Sequence, residues 1–151
     1  KLSKAATTLD LLVCVGLDLT AAQHLLPLCE VRDVARGHRL FAQGEPSTGL
    51  YLLLEGALEC IAEGCERRAR RISCLEPGAV LGEALLMGTN HQVGARGVIG
   101  SLVAYLPTQN LDEAVYQVDV AMFFLQRVRQ HSAPQAAKRL CPIRQRRASV
   151  H

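Results

Sequence analysis

Hydrophobic and polar residues follow three different patterns along this chain. Residues 1–28 carry leucine and valine at helical spacing, residues 29–107 form short apolar runs separated by glycine-containing breaks, and residues 108–129 return to a helical pattern. Residues 130–151 are basic and show no such pattern. The patterning predicts an α+β, mainly β domain over residues 1–129, with helices at both ends of the strand region, followed by a flexible basic tail.

The two helical segments differ in how clearly they are delimited. In the first, Asp18 offers an N-cap for a second short helix over residues 21–26, which Pro27 should stop. In the last, Thr108 or Asn110 should cap a helix that starts near Leu111 and continues to Arg129. We expect one apolar face of this helix to pack on the core, although a lid or a partner-binding face is the alternative. That face comprises Val115, Val118, Met122, Leu125 and Val128, and Phe123 and Phe124 widen it.

The middle segment predicts strands of about five to seven residues with a turn roughly every 8–14 residues, a spacing typical of antiparallel barrels and sandwiches. The runs are CEVRDVA, RLFAQ, LYLLLE, ALECIA, RRISCLE and SLVAYLP. LYLLLE is almost continuously apolar, which favours a strand buried on both faces. The other predicted interior residues are Val31, Leu40, Phe41, Leu58, Ile61, Ile72 and Leu75.

Composition and charge narrow the class of protein. Hydrophobic residues make up 49% of the 151 residues and charged residues 21%, which excludes global disorder. Seven of the 17 Lys and Arg residues lie in residues 127–151, which contain no acidic residue, so residues 1–126 carry a formal charge of −4. A mildly acidic body with only 4% aromatic residues argues against nucleic-acid binding.

The cysteines and the hydropathy indicate an intracellular, cytoplasmic protein or the cytosolic part of a membrane protein. The six cysteines are scattered and form no CxxC motif, which favours reduced thiols over disulfides or a metal site. No apolar run approaches the ~20 residues of a membrane span. The chain begins with Lys1 rather than Met, so we expect an effector domain elsewhere in the same protein or in a partner.

Candidate chemistry concentrates in PGAVLGEALLMGTNHQVGARGV, residues 77–98. Its Gly-Glu step opens a short apolar turn, and a polar segment follows just before an extended run. Backbone N–H groups at the start of such a turn can hold a small anionic ligand. The alternative is a buried turn whose polar side chains form hydrogen bonds only with the backbone and bind no ligand.

Two glycine-anchored motifs at this separation resemble the cyclic nucleotide-binding domain family, over a match from about residue 11 to residue 128. LFAQGEPSTGLYLLLEGALEC follows the family's order of Gly-Glu, tyrosine, apolar strand and Glu-Gly, and LEPGAVLGEALLMGTNHQVGARG looks like its phosphate-binding cassette. The positions that carry the resemblance are Gly44, Tyr51, Gly56, Gly78, Gly82 and Glu83. It implies an antiparallel, jelly-roll-like β-roll with a ligand pocket inside.

The resemblance also implies roles for the cassette residues. Gly82 begins the cassette turn, and Glu83 would accept the ribose 2′-hydroxyl of cAMP or cGMP. The backbone N–H groups of Ala84 and Leu85 would face the cyclic phosphate. No cofactor or metal is implied.

His91 stands where the family has an arginine that grips the phosphate, and Gln92 and Val93 replace small residues beside it. Arginine is permanently charged and presents a fork of donors, whereas an imidazole with an ordinary pKa of about 6.5 is mostly neutral at pH 7. Loss of charge-assisted hydrogen bonds of about 1.5–3 kcal/mol should cost about 10- to 100-fold in affinity. Gln92 is large enough to reach into the phosphate site, and Arg96 is a candidate replacement cation.

These residues lead to two functional hypotheses. In the first, the chain is a regulatory domain that binds a cyclic nucleotide, or another small anionic ligand, weakly and relays binding through the C-terminal helix. In the second, it is a ligand-independent regulatory or interaction module, and a pocket blocked by Gln92, Met87 or the C-terminal helix would favour this. An enzyme is not expected, because no catalytic arrangement stands at a convincing spacing.

The tail contains one candidate modification site. Arg146-Arg147-Ala148-Ser149-Val150 resembles the recognition site of cyclic-AMP-dependent protein kinase, so Ser149 is a candidate phosphosite. The alternative is a chance match in a basic tail.

Overall fold

The computed structural model of the chain describes residues 4–62 and 70–130. Two antiparallel four-stranded sheets form a β-roll, with helices at both ends of the sequence, which confirms the predicted fold class. The helices are α1 (Lys4–Cys14), α2 (Leu19–Leu25), α3 (Leu111–Val115) and α4 (Val118–Gln130), with 3-10 turns at Leu26–Leu28, Glu83–Met87 and Thr108–Asn110. The strands are β1 (Glu30–Val34), β2 (Arg39–Phe41), β3 (Gly49–Glu55), β4 (Leu58–Ala62), β5 (Arg70–Leu75), β6 (Val80–Leu81), β7 (Gly94–Gly97) and β8 (Ser101–Pro107).

The strand order of the two sheets places the cassette between them. The first sheet has the order β1-β8-β3-β6, and the second has the order β2-β7-β4-β5. β6 enters the cassette from the first sheet, and β7 leaves it in the second. The cassette therefore bridges one end of the roll.

Strand β3 is buried on both faces, as LYLLLE predicts. Leu50, Leu52 and Leu54 pack into a core shared with the helices, where Leu12, Leu25 and Phe123 lie. Tyr51 and Leu53 point the other way, into the core between the two sheets. Side chains alternate along a strand, so one strand can supply both cores.

Most of the predicted interior residues are buried, but Val31 is only half-buried. Phe41, Leu58, Ile61 and Leu75 are buried, and Leu40 and Ile72 are partly buried against the core between the sheets. Val31 was wrongly predicted as interior because it lies on β1, an edge strand that pairs only with β8.

The first helical segment agrees closely with its sequence signals. Asp18 caps α2 by accepting a hydrogen bond from the Ala21 backbone N–H at 2.8 Å. The helix begins at Leu19 rather than Ala21, and Pro27 lies in the 3-10 turn that follows. None of the helices in the described part of the chain has the length and hydrophobicity needed to span a bilayer.

The predicted apolar face of the C-terminal helix was only partly correct. The helix breaks between α3 and α4, where the Gln117 side chain accepts a hydrogen bond from the Val120 N–H at 2.9 Å. Val120, Phe123 and Phe124 form the buried face of α4, and the partly buried Val128 packs against the same core. The other predicted residues of α4 are exposed. Val118, Met122 and Leu125 are 70%, 56% and 55% exposed.

Arg127 ties α4 to the N-terminal helices. Its guanidinium donates a hydrogen bond to the Val15 backbone oxygen at 2.8 Å and lies 4.9 Å from the centre of the Phe123 ring. A Cβ atom built on Gly78 would lie 3.2 Å from Nη1 of Arg127. The C-terminal helix therefore touches the turn that precedes β6 and the cassette.

The outer face of the second sheet carries a buried carboxylate held by two arginines. Glu59 accepts hydrogen bonds from Nε of Arg71 at 2.7 Å and from Nε of Arg96 at 2.8 Å. These hydrogen bonds, first from Arg71 and then from Arg96, lower the pKa of Glu59. Arg96 faces away from the roll interior. It therefore does not supply a positive charge at the expected phosphate position, and its prediction as a replacement cation was wrong.

The lowered pKa of Glu59 predicts a pH-dependent contribution to stability. The ion pairs should stabilise the fold fully above the ordinary carboxyl pKa of 4.5, and this contribution should be lost as the pH falls through the lower pKa of the folded state. Urea unfolding of the wild type and of Glu59→Gln should therefore give free energies that converge as the pH falls from 6 to 3. A difference that stays constant over this range would contradict the assignment.

Candidate functional site

Gly82 sets the conformation of the cassette. It has a φ of +89° at the start of the 3-10 turn Glu83–Met87, and Gly88 closes the turn with a φ of +67°. A Cβ atom on Gly82 would lie 2.5 Å from the Gly49 backbone oxygen of β3. Ser47 donates a hydrogen bond from its hydroxyl to the Gly82 oxygen at 3.0 Å. The cassette is therefore pressed against β3 at a point where only glycine fits without strain.

Several backbone N–H groups in and just after the cassette turn donate hydrogen bonds to carbonyl oxygens of the turn itself. The Leu85 N–H donates to the Gly82 oxygen at 3.0 Å, and the N–H groups of Gly88 and Thr89 donate to the oxygens of Leu85 and Ala84. The Leu85 N–H is thus engaged within the turn, and in this geometry it does not face a ligand. Ala84 is buried, and Leu85 is partly exposed.

A small cavity lies behind the cassette. Its volume is about 10 Å³, which leaves room for about one water molecule. Five of the seven predicted ligand residues line it, whereas Gly82 and Leu85 do not. The lining residues are Phe41, Cys60, Leu75, Val80, Leu81, Glu83, Ala84, His91, Gln92 and Val93.

His91 fills the space near the cassette by stacking on Phe41. The two ring centres are 3.7 Å apart and the rings are inclined by 9°. The His91 N–H donates to the Glu45 oxygen, and its own oxygen accepts from the Gly44 N–H, both at 2.9 Å. The side chain is only 6% exposed, and this burial lowers its pKa, although the charge of Glu45 acts in the opposite direction. Burial therefore favours the neutral form of His91.

Phe41 connects His91 to a column of aromatic rings inside the roll. The ring centres of Phe41 and Tyr51 are 5.4 Å apart, and those of Tyr51 and Tyr105 are 4.8 Å apart. Arg32 lies over the far side of the Tyr105 ring at 4.0 Å. Phe41 was predicted as an interior residue, but its contact with His91 was not, because the two residues are 50 positions apart in the sequence.

Glu83 lies at the cavity, where the family resemblance expects a ribose-binding carboxylate. Its side chain is only 3% exposed. Burial raises the pKa of the neighbouring Cys60 thiol to about 11, a hydrogen bond with Ser73 opposes this shift, and the Glu83 charge adds to it. The pocket thus brings a carboxylate and a thiol together among apolar side chains.

None of the three predicted blocking elements closes the cavity. Gln92 is exposed, and its amide donates a 3.4 Å hydrogen bond to the Asn90 oxygen. Met87 is 55% exposed, and no residue of α4 lines the cavity. The Phe41–His91 stack occupies the interior instead. No Lys or Arg is found among the lining residues, so the described part of the pocket contains no cation for a phosphate.

The β-roll and the glycine-anchored cassette define a small-molecule sensory fold, and the comparison with known families agrees. The profile described as the cyclic nucleotide-binding domain matches residues 31–117, more than half of the chain. The chain therefore belongs to the cyclic nucleotide-binding domain family. Glu83, His91 and all the other residues that line the cavity fall within the matched residues.

Individual relatives share the fold at low sequence identity. A cyclic nucleotide-binding domain from Methylobacillus flagellatus has a TM-score of 0.69 at 16% identity, covering 91% of this chain and 83% of that one. A regulatory subunit of a cAMP-independent protein kinase A from Trypanosoma cruzi, bound to guanosine, has a TM-score of 0.70 at 17% identity, covering 92% of this chain and 50% of that one.

A protein with higher identity matches only part of the chain. A potassium channel protein of Rhodopseudomonas palustris is 38% identical over 64 residues. The match covers 42% of this chain and 15% of the length of that protein. The chain thus spans a small fraction of the curated relative that it matches.

Substitution of Gly82 should destabilise the domain more than substitution of a glycine with the same backbone angle. Gly44 also has a φ of +89°, but nothing lies within 4 Å of a Cβ built there. We expect Gly44→Ala to cost about 1–2 kcal/mol from backbone strain alone. Gly82→Ala should cost a further ~1–3 kcal/mol from the contact with β3. Urea denaturation of both variants measures the difference, and equal costs would refute the close packing of the cassette on β3.

The lowered pKa of His91 predicts a loss of stability in mildly acidic solution. The unfolded imidazole, with an ordinary pKa of 6.5, binds a proton more readily than the buried one. The free energy of unfolding should therefore fall as the pH drops from 7.5 through 6.5 and on to the lower pKa of the folded state. His91→Phe should lack this component in urea unfolding, and His38→Phe, at an exposed position, should retain it because His91 stays in place. Identical pH profiles for wild type and His91→Phe would contradict the burial of a neutral imidazole.

Proposed function

We propose that this chain is a regulatory domain of a longer protein, in which the β-roll pocket binds a cyclic nucleotide weakly. The observation that carries the proposal is the position of Glu83, which is buried at the cavity behind a glycine-anchored turn. A carboxylate in this place can accept hydrogen bonds from ribose hydroxyls. We assign no catalytic role to the domain.

Two features of the pocket should make binding weak. The first is the lack of a lysine or arginine among the described lining residues, since His91 is buried against Phe41 and Arg96 is bound to Glu59 on the outer face. The second is size, because a cavity of about 10 Å³ must open before a nucleotide enters. Because only a fraction of the molecules is open, the apparent affinity equals the affinity of the open state multiplied by that fraction.

A structural change caused by ligand binding would be transmitted to the C-terminal helix through β6. The turn before β6 holds Gly78, whose N–H donates to the Leu53 oxygen of β3 at 2.8 Å. Arg127 of α4 lies beside this turn and is hydrogen-bonded to Val15. Movement of the cassette and β6 on ligand entry would therefore change the packing of α4, provided that the ligand binds one arrangement better than the other.

The ligand-independent function remains the second candidate, and the closed cavity favours it. The Phe41–His91 stack occupies the pocket interior. The Trypanosoma cruzi relative is described as part of a cAMP-independent kinase, and its structure contains guanosine. That relative is cAMP-independent but contains a ligand, so the closed cavity is the observation that supports a ligand-independent function here.

The effector and the cellular setting are also proposals. The channel protein of Rhodopseudomonas palustris is far longer than its match with this chain, so an effector elsewhere in the same protein or in a partner fits the pattern. We place the domain in the cytoplasm, in contact with a small-molecule ligand rather than nucleic acid. The candidate phosphosite Ser149 lies outside the described residues.

Introduction of an arginine at position 91 should strengthen cyclic nucleotide binding. His91→Arg would supply a charged donor group where the phosphate should lie, and charge-assisted hydrogen bonds of this kind correspond to about 10- to 100-fold in affinity. Isothermal titration with cAMP and cGMP measures the change.

The matched control is His38→Arg, which adds the same charge at an exposed position outside the cavity lining and should leave the affinity unchanged. If neither wild type nor His91→Arg produces heat with millimolar cAMP or cGMP, the ligand-independent function is favoured.

A further inference from the structure

We infer that two copies of this chain associate through α4, with the two helices side by side in antiparallel orientation. This association surface is separate from the ligand pocket, because no residue of α4 lines the cavity, and it goes beyond the proposed function. Three observations support it: the exposed apolar face of α4, the spacing of the residues on that face, and the charges at the two ends of the helix.

The outward face of α4 is apolar, although the helix is already anchored by its opposite face. Val118, Met122 and Leu125 are each more than half exposed, while Phe123 and Phe124 on the other side pack into the core. Apolar side chains that line up along an exposed helix form a continuous patch, and such patches mark interaction sites, unlike single exposed residues. This face is therefore a candidate interface.

The spacing of these residues is that of a helix-pairing seam. Val118, Met122, Leu125 and Arg129 follow one another at intervals of four, three and four residues, as positions d, a, d and a of a heptad do. Residues with this spacing form a narrow stripe that pairs with the matching stripe of another helix. The spacing therefore favours a helical partner.

A second copy of α4 matches this seam when the two helices run in opposite directions. With the twofold axis between positions 123 and 124, Met122 of one copy lies opposite Leu125 of the other, and Val118 lies opposite Arg129. The members of each pair are equally far from the axis along the helix, so the surface is complementary to itself. Each contact then occurs twice, as in any isologous dimer.

The charges of α4 favour the antiparallel arrangement over the parallel one. Asp119 lies in the first turn and Arg129 in the last, and both side chains are exposed. Neither forms an ion pair with another residue in the ranges 4–62 and 70–130. Antiparallel pairing brings Asp119 of each copy beside Arg129 of the other, whereas parallel pairing would place like charges together. Opposite ends of the two helix dipoles also meet only in the antiparallel dimer.

The limited length of α4 should make this dimer weak. The helix has 13 residues and is therefore about 20 Å long. A contact between two such helices falls below the roughly 1,200 Å² of total buried surface at which stable interfaces begin. We therefore expect a reversible dimer with a dissociation constant of about 10–100 μM.

The test is sedimentation equilibrium of the whole chain, from well below to well above that concentration. A reducing buffer prevents disulfide bonds between the exposed Cys14 thiols of two copies. Leu125→Ser removes an apolar contact twice per dimer and should weaken association at least about tenfold. The matched control is Ile99→Ser, at a residue of similar exposure in the turn between β7 and β8, and it should leave association unchanged.

An exchange of charges tests the direction of pairing. Asp119→Arg and Arg129→Asp should each weaken the dimer about fivefold or more, because each variant places like charges together at both ends of the interface. The double variant restores opposite charges and should recover most of the wild-type affinity. In a parallel dimer each position would face its own copy in every variant, so no such recovery would occur. Thermal unfolding verifies that each variant is folded.

The possible results separate the parts of this inference. A wild-type chain that stays monomeric at about tenfold above the expected dissociation constant would overturn it and indicate that another molecule covers the face. A dimer that Leu125→Ser leaves intact would overturn its location on α4. Weakening by both single charge reversals without recovery in the double variant would overturn the antiparallel pairing. None of these results depends on whether the pocket binds a cyclic nucleotide, so the proposed function stands or falls separately.

Discussion

The double burial of β3 is the constraint on which the rest of the structure depends. Its even-numbered leucines face the helices, while Tyr51 and Leu53 face the interior of the roll. A strand that is apolar on both sides can be stable only if both sides are covered, so the helical layer and the second sheet are both required. β3 also pairs with β6 and β8, and the cassette glycine packs against its first residue, Gly49.

The aromatic filling of the pocket follows from the position of β3. Tyr51 extends from β3 into the roll and begins the contacts that run through Phe41 to His91. A charged guanidinium in place of His91 would lose its hydration against an aromatic surface that supplies no hydrogen-bond acceptor. In this stack, the compensating interaction would be cation–π attraction. The aromatic filling and the neutral residue at position 91 are therefore mutually consistent, and both disfavour a bound phosphate.

The sequence predicted the roll and the cassette well, because both depend on local sequence signals. Glycines at turns, the doubly apolar LYLLLE and the Gly82-Glu83 step each depend on a few neighbouring residues. The face of α4 was mispredicted because two apolar stripes compete on this segment, and the break near Gln117 gives the core to Val120 and the two phenylalanines. The stack of His91 on Phe41 depends on tertiary packing, for which the chain contains no local signal.

The orientation of Arg96 shows how much more could have been predicted. His91, Val93 and Ala95 are all buried, and Val93 and Ala95 belong to the core between the sheets. Because side chains alternate along a strand, the inward Ala95 of β7 requires that Arg96 face outward, where Glu59 binds it. Two features therefore act together: the residue at position 91 supplies no permanent charge at the phosphate position, and the pairing of β7 with β2 and β4 keeps the next arginine out of the pocket. A change in ligand class along this segment consequently needs a substitution at an inward position, 91, 93 or 95, since no rotation of the existing Arg96 side chain can bring its charge through the sheet.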